Sequence, residues 1–272
     1  MRKSCSPLLS GIGQPYDPAT GKGTLGRNLT HQVCAGLQLF FDKPLNGFMG
    51  AGGLGMAIGD FEGEEKLGPG VLRGGGIRTT SSGEGPISAF GRMPPGEVKT
   101  GWGSDWKKAA LGWYDRMGSI MFEGDHFAYR HNYMDLDPGY KDKFGDPLLR
   151  MTLDWTDHER SQEQFFLKIQ RELARAMGAR AGAVLRGVGR RYSVTYYQSS
   201  HVQGGAIMSP TPDLGVVNPW LQHWQVPNLF VLGGSTFPQN GWGNPTLSAL
   251  ALTYRTADAI VGPYLKHPGA LA

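Results

Sequence analysis

The stretch Val226-Pro-Asn-Leu-Phe-Val-Leu-Gly-Gly-Ser-Thr-Phe-Pro-Gln-Asn-Gly-Trp-Gly-Asn-Pro-Thr-Leu-Ser248, running on to Gly262, decides how this chain is read. Leu229 to Leu232 is a short apolar run closed by Gly233-Gly234, which predicts a buried strand ending in a tight turn. A polar loop with Pro238, Asn240, Gly241 and Gly243 follows. Asn244 is a good N-cap and Pro245 suits the first helical position. Leu247, Leu250, Ala251, Tyr254, Ala257 and Ile260 then recur at helical spacing, and Gly262-Pro263 predicts the stop. A strand, glycine turn, polar loop and helix start aim backbone N–H groups at whatever fills the loop. Such a place favours partial negative charge.

Working outward, Val33 to Phe41 alternates apolar residues and predicts a half-buried strand. Residues 42–100 are rich in Gly and Pro and read as loops and short strands. Within them Gly50-Ala-Gly-Gly-Leu-Gly55 has the dinucleotide-fingerprint spacing. It lacks the strand before and the helix after that the fingerprint needs, and is not read as a phosphate site. Ser104 predicts the cap of a helix over about 104–117, with Trp106, Ala109, Ala110, Trp113 and Met117 on one face. Tyr129–Asp135 and Leu148–Trp155 read as strands, the second burying Leu149, Met151, Leu153 and Trp155. Thr156-Asp-His-Glu159 is a capping box opening the strongest helix, over about 157–177. Its stripe is Phe165, Phe166, Ile169, Leu173 and Met177, Gly178 ends it, and the charges between read as a solvated face. Tyr192–Tyr197 reads as a further strand.

Composition narrows the class. The 272 residues can bury one or two cores, and 40% hydrophobic with 18% charged content describes a folded chain. The net charge of +4 comes from 27 basic and 23 acidic residues, scattered without a long run. That pattern argues against nucleic-acid binding. Cys5 and Cys34 give neither a disulfide framework nor a metal spacing. No apolar run approaches the ~18 residues of a membrane span. No signal-peptide pattern is visible, since Ser4-Cys-Ser-Pro follows the basic start at once.

Several segments resemble the glucose-methanol-choline (GMC) flavoprotein oxidoreductases. Leu232-Gly-Gly-Ser-Thr-Phe-Pro-Gln-Asn240 with Gly243-Asn-Pro-Thr246 resembles the family's C-terminal signature, most of all in the large subunits of gluconate, sorbitol and fructose dehydrogenases. His201-Val-Gln-Gly-Gly-Ala-Ile-Met208 resembles the element whose histidine faces the flavin. Gly26-Arg-Asn-Leu-Thr-His31 resembles Gly-x-Asn-Leu-x-x-His with the histidine one place early. Leu8-Leu-Ser-Gly-Ile-Gly13 resembles the end of a second signature.

The resemblance implies an α+β fold: an antiparallel-sheet substrate domain with helices, plus C-terminal segments of an FAD-binding α/β domain. It assigns residues 1–32 to a remnant of the FAD-binding domain, 33–198 to the substrate domain, and 199–272 to the active-site segment returning to the FAD-binding domain. The family's N-terminal Rossmann part has no counterpart here, so the chain is expected to be a C-terminal half. The implied activity is FAD-dependent oxidation of a CH–OH group in a polyol, sugar or sugar acid.

Such a reaction removes a proton from oxygen and a hydride from carbon. Histidine suits the first task near neutral pH, and only a cofactor can accept the hydride. By resemblance His201 is the base and Asn244 the second group on the same oxygen. Asn28, Gly234, Ser235, Asn244, Pro245 and Thr246 would lie on the FAD side. No metal is implied. Implied partners are the small-molecule alcohol or sugar substrate, the absent N-terminal FAD-binding half, a cytochrome c and a small subunit, in a periplasmic, membrane-associated complex. Two other readings stay open: a non-catalytic remnant without cofactor, and a carbohydrate-binding module using Trp102, Trp106 and Trp113 as a platform.

Overall fold

The computed structural model describes residues 6–47, 55–63, 67–80, 92–185, 187–194 and 201–271. In chain order its elements are α1 (Ser6–Ser10), β1 (Thr30–His31), β2 (Val33–Phe40), β3 (Ala57–Ile58), β4 (Gly75–Thr80), α2 (Ser104–Trp113), β5 (Met117–Gly124), β6 (Tyr133–Lys141), β7 (Pro147–Thr152), α3 (Asp157–Ala176), β8 (Arg180–Leu185), β9 (Val202–Gln203) and α4 (Thr246–Ala259). All the strand pairs are antiparallel, and with the helices they make an α+β fold. The chain forms two compact units. One comprises residues 1–32, 126–154 and 199–272, the other 33–125 and 155–198.

The second unit is built on a five-stranded sheet ordered β3-β4-β5-β2-β8. β2 is buried on both faces rather than half-buried. Its alternate face carries Cys34, Gly36 and Gln38, small enough or hydrogen-bonded enough to be covered. Gln38 donates to Gly118 O at 2.7 Å, and α3 reaches the strand through Gln170, which donates to Ala35 O at 3.1 Å. Phe122 of β5 and Phe166 of α3 stack with ring centroids 3.7 Å apart.

α2 is shorter than its apolar pattern predicts. It ends at Trp113, and Met117 opens β5 instead of closing the helix. Ser104 is the first helical residue, and the cap position is Gly103 with φ 95°. Trp113 is buried edge-on against Phe40 and under the Arg180 guanidinium, whereas Trp102 is exposed. Trp102, Trp106 and Trp113 therefore do not form a common open platform.

α3 begins with the expected capping box, Thr156 and Glu159 satisfying each other's end groups. Its buried face is rotated from the apolar stripe and includes Glu159, Gln162, Glu163 and Gln170 with Phe166 and Leu167. These polar residues are sealed in, whereas the charges between the stripe residues, Lys168, Arg171, Glu172 and Arg175, are exposed as expected. Gln162 donates to Arg73 O at 2.6 Å, and burial pushes the Glu163 carboxyl up against the lowering pull of the Val188 and Gly189 N–H groups. Tyr192–Val194 is not a strand; the rest of that expected strand, and Gly50–Leu54, lie outside the described residues.

The first unit contains two short ribbons, β1-β9 and β6-β7. The expected strand over 129–135 starts only at Tyr133, because Asn132 uses its amide to bind the backbone of Asp154. β7 ends at Thr152 and leaves Met151 exposed, since its partner is a single strand. The expected buried strand at 229–232 is also absent. Phe230 forms one bridge with Gln222, Leu232 is exposed, and Gly234–Thr236 makes a 3-10 turn. The core here is Leu25, Ala206, Val216, Val217 and Leu221, with Leu8, Val231 and Leu252 packed on it.

α4 starts one residue later than its sequence predicts: Pro245 is the cap position and Asn244 precedes it, with no side-chain cap bond. Its buried residues are Thr256 and Ala259. The predicted stripe faces out, with Leu247 78%, Leu250 50% and Tyr254 73% exposed. Gly262-Pro263 does not stop the chain's winding. Ile260–Tyr264 is a π-helical turn, whose wider spacing accepts a residue without an N–H.

Candidate active site

Three segments distant in sequence meet around His201. β1 and β9 pair Thr30 with Gln203 and His31 with Val202. From there residues 204–208 run along the 3-10 turn: Gly204, Ala206 and Met208 N–H groups donate to Gly234, Ser235 and Thr236 carbonyls at 3.1, 2.9 and 2.8 Å. Gly205 N–H donates to Arg27 O, and its own carbonyl accepts from Gly26 N–H. The glycine at 204 is required. Its φ is +87°, and a Cβ there would stand 2.0 Å from Asn28 O.

His201 is held at two ends. Its carbonyl accepts from Asn240 Nδ2 at 3.0 Å and from Gln32 N–H at 3.2 Å. Its ring Nδ1 is in short contact with Gln32 Oε1. The same Gln32 amide reaches the polar loop of the signature, donating through Nε2 to the carbonyls of Trp242 (2.5 Å), Gly241 (3.2 Å) and Gly243 (3.5 Å). Gln32 is fully buried. One side chain thus ties the His201 ring to the three residues preceding Asn244.

The structure accordingly brings His201, Gly234 and Ser235 into one hydrogen-bonded assembly, and the Asn28 carbonyl packs against Gly204 beside it. Asn28 has φ 58° and donates from Nδ2 to Ala128 O, so its amide N–H is committed to that carbonyl. Asn244, Pro245 and Thr246 follow the loop that Gln32 secures, and Asn244 is exposed. Sequence reading missed Gln32, Asn240 and His126. His126 is buried, accepts the His31 N–H at Nδ1 (3.0 Å), and its backbone bridges to Asn240. A signal existed for Gln32, which directly follows the Gly26–His31 element.

A cleft of about 430 Å³ opens beside this assembly. Gly204, Gly205 and Ser235 line it together with Met134, Leu149 and Val231. It falls in the usual range of small-molecule sites, ~300–1,000 Å³. Glycine backbone and apolar side chains form most of its walls. Among the described residues no group of His, Cys, Asp or Glu is arranged to hold a metal ion.

Residues 128–253 match the GMC oxidoreductase C-terminal family, so the chain carries a domain of that family. It is 44% identical over 271 residues to the gluconate 2-dehydrogenase flavoprotein of Pantoea cypripedii, covering 97% of this chain and 43% of that protein. It is 29% identical over 255 residues to the 2-methyl-1,2-propanediol dehydrogenase of Mycolicibacterium austroafricanum, covering 91% of this chain and 44% of that protein. Among solved structures, formate oxidase from Aspergillus oryzae aligns with TM-score 0.59 at 15% identity, over 96% of this chain and 52% of that one. The chain therefore spans less than half the length of these curated relatives. No helix among the described residues is long and apolar enough to cross a membrane.

Proposed function

We propose that this chain forms the catalytic face of an FAD-dependent dehydrogenase that oxidises a CH–OH group of a polyol, sugar or sugar acid. The observation that carries the reading is the fixed His201 ring, borne by the residue next to Val202 in the wall of the glycine-lined cleft, within a GMC C-terminal domain. His201 Nε2 takes the hydroxyl proton as the O–H bond breaks and the carbonyl forms. Asn244 binds the same oxygen and orients it. Gly234, Ser235 and Asn28 hold the cofactor side of the site, and the backbone at Pro245 and Thr246 favours charge that builds there. A bound flavin supplies the acceptor for the hydride leaving the carbinol carbon.

In this reading 1–32 and 199–272 belong with an FAD-binding domain and 33–198 with the substrate domain. An upstream nucleotide-binding half completes the enzyme. Two facts support that partner: the relatives are more than twice as long as the matched region, and the apolar side of α4 lies open. The relative from Gluconobacter japonicus, 32% identical over 133 residues, is named a fructose dehydrogenase large subunit. A large subunit implies a smaller one, and we extend that to this protein; a cytochrome c partner and a periplasmic, membrane-associated setting rest on the family resemblance of its sequence motifs.

The test joins the chain to an upstream half, in cis or in trans, and reads the flavin absorbance band and dye reduction with gluconate, sorbitol and fructose. The isolated chain should be colourless, poorly soluble and inactive, and the joined protein yellow and active. His201→Ala should lower turnover by roughly 10²–10⁴-fold, the range for losing a positioned acid–base group. Asn244→Ala should cost less and retain the flavin. Unchanged turnover in His201→Ala removes the histidine from the mechanism. A joined, folded protein without flavin makes the chain a non-catalytic remnant.

A further inference from the structure

The geometry points to Gln32 as the residue that fixes which nitrogen of His201 carries the proton. The two ends of a glutamine amide are not interchangeable: Nε2 only donates and Oε1 only accepts. Here one end faces the carbonyls of Gly241, Trp242 and Gly243. Three acceptors can be met only by the NH₂ group, so the amide has one permitted orientation. The other end, Oε1, then faces His201 Nδ1. An oxygen that can only accept requires Nδ1 to donate. The neutral ring is thereby held with its proton on Nδ1 and its lone pair on Nε2.

The neighbouring bonds stop the system from escaping this choice. Gln32 N–H and Asn240 Nδ2 both donate to the His201 carbonyl, so the histidine backbone cannot shift away from the amide. Gln32 itself is fully buried and follows β1, whose residues pair with β9 beside His201. Which ring nitrogen of a histidine is protonated is set by the hydrogen bond the other makes. Gln32 is thus a positioning residue. It acts through His201, and it couples the ring to the loop that carries Asn244. A neutral amide does this without placing a carboxylate beside the ring. The functional consequence rests on His201 being the base, as proposed above. The tautomer assignment does not.

The measurement is a two-bond ¹H–¹⁵N correlation spectrum of the ¹⁵N-histidine-labelled chain joined to its flavin-binding half. The His201 ring is identified by its loss in His201→Ala. In the neutral form, the parent protein should show Nδ1 protonated and Nε2 bare. Gln32→Leu removes the acceptor and should lose that pattern. Gln32→Glu keeps an acceptor oxygen opposite Nδ1 and should retain it, although the loop carbonyls lose their donor. A parent ring protonated on Nε2, or an unchanged pattern in Gln32→Leu, overturns the inference. If Gln32→Leu fails to fold, the parent and Gln32→Glu spectra decide, because an Nε2–H ring in either contradicts the assignment. The two readings separate cleanly. Full turnover in His201→Ala would remove the base, yet leave an Nδ1–H spectrum and its dependence on Gln32 standing.

Discussion

Helix α3 buries Glu159, Gln162, Glu163 and Gln170, while helix α4 leaves Leu247, Leu250 and Tyr254 in the open. Each departs from the simple amphipathic pattern, and the reasons differ. In α3 Gln162 and Gln170 donate to carbonyls of other segments, Glu163 accepts backbone N–H groups, and Glu159 closes the capping box. Buried polar groups are tolerable when bonded in this way. In α4 Leu252 touches the core, but Leu247, Leu250 and Tyr254 stay exposed among the described residues, and only Thr256 and Ala259 are buried. A helix's buried face is set by the surface that meets it. The residue stripe states only a preference.

The contrast can be tested by cutting each helix. The largest effect is expected from Phe166→Ala, because Phe166 is fully buried and stacked on Phe122. It should cost ~3–5 kcal/mol in a urea unfolding experiment. A loss under ~1 kcal/mol would show that α3 is not a core element.

Gln162→Ala should cost ~1–3 kcal/mol by the same measurement, since the Arg73 carbonyl loses a buried donor. A neutral outcome would mean that water replaces the amide and that α3 is less sealed than described. Smallest is Leu250→Ser in α4, expected within about 0.5 kcal/mol in the isolated chain, as for exposed positions generally. The same change should weaken assembly with an upstream half. Equal affinity for parent and variant would mean that this side of α4 is not where that half binds.

The contrast also shows what was legible in the sequence. The capping box at Thr156–Glu159 was readable because its partners are three residues apart. The limits of α3 and the presence of β2 and β7 followed from local periodicity. The two-sided burial of β2 did not, because Gln38 looks solvent-facing until Gly118 O is placed beside it. The Asn244 cap failed by one residue, since Pro245 itself occupies the cap position. The apolar stripe of α4 was correctly spaced but oriented outward, because spacing carries no information about what packs against a helix. At the site, His201, Gly234 and Ser235 belonged to contiguous motifs. Gln32 did not, and its role exists only through contacts with His201 and residues 241–243.

That long reach bears on how the molecule is made. Gln32 is separated from His201 by 169 positions and from Gly241, Trp242 and Gly243 by 209, 210 and 211. Closing a flexible loop costs entropy that grows with its length, about 0.6 kcal/mol for each doubling. Contacts of this separation lag behind local ones, and topologies rich in them fold slowly. During synthesis the glutamine emerges long before the ring it is to orient, at ~5–20 residues per second. Through that interval its amide must be satisfied by water or by passing partners. Completing the site is therefore a late event in the birth of the protein, dependent on segments 169 to 211 positions apart.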